Sequence, residues 1–170
     1  MSASNWRLET ERLTLVPFTA EFMDALEGHD RAQQIIRAAI PEGWPDDELS
    51  GLLSVYAQWI ADDTSVVGYG PWIVILRGER VVVGSAGFIG RPNDEGTIEL
   101  GFGVHPNFRN RGYASEAARA LIEWGLDQPA VTRVVAACDQ DNGASARVLE
   151  KSGMNQVGSA GGQLHWAIDG

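Results

Sequence analysis

TIELGFGVHPNFRNRGYASEAARALIEWGL, residues 97–126, passes from a strand into a helix through a turn rich in arginine. From Thr97 to Val104 the residues alternate: Ile98, Leu100, Phe102 and Val104 fall on one face, and Thr97, Glu99, Gly101 and Gly103 on the other. From Ser115 to Leu126 the period is helical, with Ala114, Ala117, Ala118, Leu121, Ile122 and Gly125 on one stripe. Between them lies Arg109-Asn110-Arg111-Gly112-Tyr113-Ala114. A helix start exposes unpaired N–H groups and a partial positive charge, and so can hold a phosphate. Gly112 lets the backbone approach an anion without a Cβ in the way. Arg109 and Arg111 add fixed charge beside it, in a chain where only 13 of 170 residues are Lys or Arg. The plainer reading is an exposed basic turn. The stretch is neither a Walker loop nor a dinucleotide fingerprint, since Pro106 stands where the latter needs its third glycine.

Working outward, Val134 to Cys138 reads as a buried strand and Ala144 to Lys151 as a helix ended by Gly153. Short strands near Met154–Val157 and Leu164–Ile168 follow. Upstream, Trp72–Leu76 and Val81–Ile89 are strands joined by the hairpin signal Arg77-Gly78-Glu79-Arg80, and the turn Pro92–Gly96 leads into Thr97–Val104. Leu13–Phe18 is a first strand, after which Thr19 caps a helix carrying Phe22, Ala25 and Leu26. Gly28 and His29 break that helix, and a second spans Ala32–Ile40. Past the loop Pro41–Pro45, Asp46 or Asp47 opens a helix to about Ile60, with Leu49, Leu52, Leu53, Tyr56 and Ile60 on one stripe. The order implies an α/β (α+β) protein with a mixed sheet flanked by helices. With no repeat or linker, residues 1–170 read as a single domain.

A net charge of -10 and a pI near 4.6 argue against a nucleic-acid partner. An anionic ligand needs a local cluster of donors to offset that charge. No apolar run is long enough to span a bilayer, and the N-terminus lacks the pattern of a secretory signal. The lone Cys138 excludes an internal disulfide and a cysteine zinc cage, and fits a reducing, cytoplasmic setting. His29, His105 and His165 show no ligand spacing, so no metal is expected.

Three segments together resemble one family. Arg109-x-x-Gly112-x-Ala114 is similar to the (Gln/Arg)-x-x-Gly-x-(Gly/Ala) signature of the GNAT N-acetyltransferases. Asn142-Gly143-Ala144-Ser145 through Leu149 to Gly153-Met154 resembles a second block of that family, and Leu8-Glu9-Thr10-Glu11-Arg12-Leu13-Thr14-Leu15 the opening of its RimJ/RimL-like branch. The resemblance implies a twisted sheet whose fourth and fifth strands, here Thr97–Val104 and Val134–Cys138, splay apart. It implies acetyl-CoA as donor, its pantetheine arm pairing with Phe102, Gly103 and Val104. The pyrophosphate would sit on the amides of Arg109, Asn110, Arg111, Gly112, Tyr113 and Ala114, with Asn142 bonding the pantetheine or the neighbouring loop. Pantetheine amides suit an unpaired strand edge, as another strand would. The implied activity is direct acetyl transfer in a ternary complex to a primary amine, either a protein N-terminus or a small molecule. Homodimers are common in the family. A non-catalytic acyl-CoA-binding or sensing module on the same fold is the alternative, and a purely structural domain a third.

Glu99 is the candidate proton acceptor, since a carboxylate on an open face can take a proton from an ammonium or attract it. Its plainer reading is a solvated strand residue. Ser145 reads either as part of a helix-start turn capped by Asn142 or as a hydroxyl near the departing sulfur. Where many family members carry a tyrosine for that task, this chain has Leu149. His105 reads as a turn residue, and Cys138, Tyr113 and Trp124 as packing. Trp44, Trp59, Tyr69 and Trp72 read as core, or as the wall of an acceptor pocket.

Overall fold

Alternation along Leu13–Pro17 forms β2 and sets the layering of the molecule. The computed structural model describes residues 6–170, and a two-residue strand, β1 (Leu8–Glu9), pairs with β2 from outside. After β2 come α1 (Ala20–Ala25), α2 (His29–Ile36), α3 (Asp47–Asp62), β3 (Pro71–Leu76), β4 (Val81–Phe88) and β5 (Thr97–Val104). Then follow α4 (Tyr113–Leu126), β6 (Arg133–Asp139), α5 (Gly143–Lys151), β7 (Asn155–Ala160) and β8 (Gln163–Asp169). The eight strands form one sheet in the order β1-β2-β3-β4-β5-β6-β8-β7. Every adjacent pair is antiparallel except β5 and β6, which run parallel because α4 carries the chain back.

Strands β2, β3 and β4 feed two cores by their period of two. Leu13, Leu15, Trp72, Val74 and Leu76 pack with Ala117, Ala118, Leu121, Ile122 and Leu149 on the α4–α5 side. Val16, Ile73, Ile75 and Val82 pack on the other side with Phe18, Phe22, Leu53 and Tyr56 from the α1–α3 segment. Burying a side chain such as Leu121, fully enclosed, contributes roughly 1.5–3 kcal/mol. Trp72 is also enclosed, and its indole N–H is satisfied by the Gly68 carbonyl at 2.8 Å.

The caps follow the local chemistry. Thr19 Oγ1 accepts from the Phe22 amide, Asp46 Oδ1 from Leu49 at 2.8 Å, and Asn142 Oδ1 from Ser145 at 3.0 Å. Gly153, at φ +101°, ends α5 as expected. The second helix departs from the Ala32–Ile40 expectation. It begins at His29, because Gly28 serves as its N-cap, and stops at Ile36, because Arg37 turns left-handed at φ 55°. Among the described residues no helix is long and apolar enough to cross a membrane.

Beside the parallel pair, the sheet opens. β5 and β6 are in register only at Thr97–Arg133, Ile98–Val134 and Glu99–Val135. Past Glu99, β5 is paired with β4 from Leu100 to Val104, while β6 keeps only β8, its partner along its whole length. Among the described residues, backbone groups of Leu100–Val104 on the β6 side therefore lack a strand partner, and the expected splay is present. Gly84 of β4 keeps β5 close, since a Cβ there would collide with the Gly103 carbonyl.

Candidate active site

The passage from β5 to α4 is a sequence of short turns. His105 bonds Val83 O through its own amide, and its ring joins two loops. The Asn107 N–H donates to Nδ1 at 3.2 Å, so the ring proton sits on Nε2, which donates to the Glu42 carbonyl at 2.8 Å. A 3-10 turn, Pro106–Phe108, follows. Asn110 and Gly112 then take left-handed backbone at φ 64° and 83°, conformations that asparagine and glycine accept most readily. Helix α4 starts at Tyr113, two residues before the expected Ser115, and no side chain among the described residues caps it. Among the described residues the amides of Gly112, Tyr113, Ala114 and Ser115 have no hydrogen-bond acceptor. These are the bare donors that an anion satisfies.

Gly112, Ala114 and Ser115 border a cleft of about 570 Å³. Of the residues singled out in the sequence, Phe102, Gly103, Val104, Arg109, Asn110, Gly112, Ala114, Asn142 and Ser145 line it together. Arg109 stays exposed and donates from Nε to the Val104 carbonyl at 3.1 Å, which leaves its terminal nitrogens unspent. Arg111 and Tyr113 contribute backbone to the turn, while their side chains lie elsewhere. The Arg111 guanidinium sits 5.9 Å from the centre of the Phe108 ring, and Tyr113 is buried in the core. Ser145 takes the helix-start role through its amide, and its hydroxyl has no partner among the described residues.

Glu99 does not line the cleft. It lies exposed at the point where β5 and β6 part. A Cβ on Gly101 or on Gly103 would meet nothing within 4 Å, so the strand beyond Glu99 is open. Leu149, where a tyrosine is common in the family, is fully buried and is a packing residue. Cys138, Trp124, Trp44 and Trp72 are buried as well, while Trp59 and Tyr69 are only partly covered.

Two groups of residues enter that the sequence reading missed. Arg147 and Lys151, one helical turn apart on α5, line the cleft and form no ion pair among the described residues. Their spacing of four on a legible helix was the available signal, and Lys151 is the only lysine in the chain. The second group is Thr10, Arg12 and Glu116. The Glu116 carboxylate accepts from the Thr10 hydroxyl, from the Arg12 amide at 2.9 Å and from Arg12 Nε at 2.8 Å. Partial burial pushes its pKa up, but the Thr10 and Arg12 bonds together outweigh this and hold the carboxyl below its usual range. No spacing rule joins residues a hundred positions apart.

A larger concavity, about 1360 Å³, lies on the α1–α3 side between Thr14, Ile73, Arg37 and Arg80. It shares no residue with the cleft, and the helix start on its wall, that of α1, is capped by the Thr19 hydroxyl, unlike that of α4. The smaller space is the one that gathers the residues singled out in the sequence.

Comparison with known proteins agrees with this geometry. Residues 12–155 match the family described as acetyltransferase (GNAT) domain. The uncharacterized N-acetyltransferase YjdG of Bacillus subtilis is 31% identical over 160 residues, covering 94% of this chain and 95% of that protein. A GNAT-family acetyltransferase structure from Bacillus anthracis superposes with a TM-score of 0.64 at 25% identity, covering 96% of this chain and 98% of the other. RimL, a ribosomal L7/L12 alpha-N-protein acetyltransferase in complex with coenzyme A, shares the fold at a TM-score of 0.65 and 15% identity, with 96% and 98% covered. With the family matched over most of its length and the splayed sheet in place, the chain belongs to the GNAT family of N-acetyltransferases.

Proposed function

We propose that the cleft binds acetyl-CoA and that the enzyme transfers its acetyl group directly to a primary amine arriving on the Glu99 side of β5. The observation that carries this reading is the parting of β5 from β6 after Glu99, beside a helix start with four bare amides. The residues present fit such a ligand. Unpaired strand groups at Phe102–Val104 suit pantetheine amides, and the Arg109–Ala114 turn suits a pyrophosphate. Arg109, Arg147 and Lys151 supply cations for the phosphates. Asn142 borders the same space, with the Ser145 hydroxyl free to donate.

Acetyl-CoA brings an activated thioester whose thiol, with a pKa of about 8.5, leaves with little help near neutral pH. The protein's part is to hold, orient and deprotonate. Glu99 accepts a proton from the incoming ammonium, directly or through water, and attracts it beforehand. A strand N–H near Phe102 or Gly103 polarises the thioester carbonyl. Ser145 donates toward the departing sulfur, a role compatible with the buried Leu149. The acceptor is a protein N-terminus or a small amine. RimL's ribosomal substrate makes peptides with free N-termini the first to try. The lone buried Cys138 fits a reducing compartment such as the cytoplasm.

The test has two stages. Calorimetric titration with acetyl-CoA should give one site per chain, and a panel of N-terminal peptides, polyamines and amino sugars should then release free thiol with at least one member. Absence of binding overturns the cofactor reading. Binding without release from any amine turns the protein into an acyl-CoA sensor.

A further inference from the structure

The bare amides at the start of α4 serve a phosphate only if the turn before them is held in one orientation, and Arg12 holds it from the far end of the chain. Arg12 stands in the turn between β1 and β2. Its Nη1 donates to the Arg111 carbonyl at 2.9 Å, and its Nε donates to Glu116 Oε1 at 2.8 Å. Its guanidinium carbon lies 4.6 Å from the centre of the Tyr113 ring. Arg12 thus grips the residue before the left-handed Gly112, stacks on the residue after it, and bonds the first turn of α4.

A trans peptide unit is planar, so its C=O and the following N–H point in opposite directions. With the Arg111 carbonyl fixed on Arg12, the Gly112 N–H is turned away from Arg12. Gly112 forms part of the wall between the depression where Arg12 lies and the cleft, for it borders both. The amide therefore faces the cleft. Gly112 also leaves room for the grip, since a Cβ there would come within 3.2 Å of Arg12 Nη2. Arg12 has a second effect: Glu116 sits in the first turn of the same helix, and pairing neutralises a carboxylate that would otherwise repel a phosphate.

We propose that Arg12, seated on Glu116, is the positioning residue that aims the Gly112 amide at the cofactor's pyrophosphate. The proposal rests on the reading of the cleft as the acetyl-CoA site. The experiment compares two donors, acetyl-CoA and S-acetylpantetheine, which lacks the pyrophosphate. Arg12→Met keeps the side-chain stem and removes its donors. It should raise KM for acetyl-CoA about tenfold, the effect of losing one hydrogen bond to a charged group. Saturated kcat and all constants for S-acetylpantetheine should stay within about twofold. Arg12→Lys, with one ammonium for two acceptors, should fall between, and Glu116→Gln should shift KM in the same donor-selective way. If Arg12→Met does not fold, these two variants carry the test. Equal losses on both donors, or an unchanged KM for acetyl-CoA, overturn the proposal. Should the wild-type enzyme use both donors with equal efficiency, the pyrophosphate site itself is wrong.

Discussion

Glu99 stands opposite Val135, and this is the last pair at which β5 and β6 run side by side. The carboxylate is thus fixed by sheet register at the edge of the opening, which under the proposed reading lies near the end of a thioester running along Phe102–Val104. Proximity of that kind makes a modest base effective.

Replacing this carboxylate should separate chemistry from cofactor binding. Glu99→Gln is expected to lower kcat about a hundredfold, a typical share for a general base. The Kd for acetyl-CoA should stay within about twofold, since Glu99 does not line the cleft. Stopped assays across pH, together with calorimetry, read both quantities. An unchanged pH–rate profile would remove Glu99 from the mechanism.

Two glycines on neighbouring strands should respond in opposite ways. Gly84→Ala drives a methyl group into the Gly103 backbone and should destabilise the fold by about 1–3 kcal/mol, seen as a lower Tm. Gly103→Val adds a side chain where nothing lies within 4 Å, so Tm should hold. Its side chain would crowd the opening, and KM for acetyl-CoA should rise about tenfold or more.

The α5 cations make a claim on salt. Lys151→Met and Arg147→Gln should each raise KM for acetyl-CoA a few-fold at low ionic strength, as expected for exposed charges near phosphates. The difference from wild type should narrow as sodium chloride approaches 1 M, because the Debye length falls to about 3 Å. A loss that ignores salt would assign these residues to packing.

Glu116 predicts a pH signature. Its folded pKa lies below the unfolded value, so its contribution to stability is full above the usual carboxylate range, about 4.3. The contribution is lost as pH falls through the depressed folded value. Wild type should melt higher than Glu116→Gln at pH 7, and the gap should close on acidification below about pH 4. A gap independent of pH would mean that the carboxylate's charge contributes nothing.

Much of this was legible in the chain because local chemistry and final structure agree. Thr97–Val104 alternates, and β5 has those ends; Asp46 and Asn142 are good caps, and they cap. The opening beside Glu99 was visible as two glycines on one strand face. Element ends were harder. Arg37 leaves the helical region although it is a good helix former, and the following Ala39 pairs with Val81, so tertiary contact overrode propensity. The strand Leu8–Glu9 is too short to show a period. The Arg12–Glu116 bond was out of reach altogether. It depends on the β1–β2 turn packing on a helix distant in sequence, and nothing in either segment names the other.

Lys151 being the only lysine has a chemical consequence. An enzyme that handles an activated acyl donor is exposed to acylating itself, and this one offers a single ε-amine with its sole thiol shut in the core. Prolonged incubation with donor should leave the chain's mass almost unchanged. An amine-selective reagent should in turn find Lys151 shielded whenever the cleft is filled, which turns one residue into a built-in gauge of occupancy.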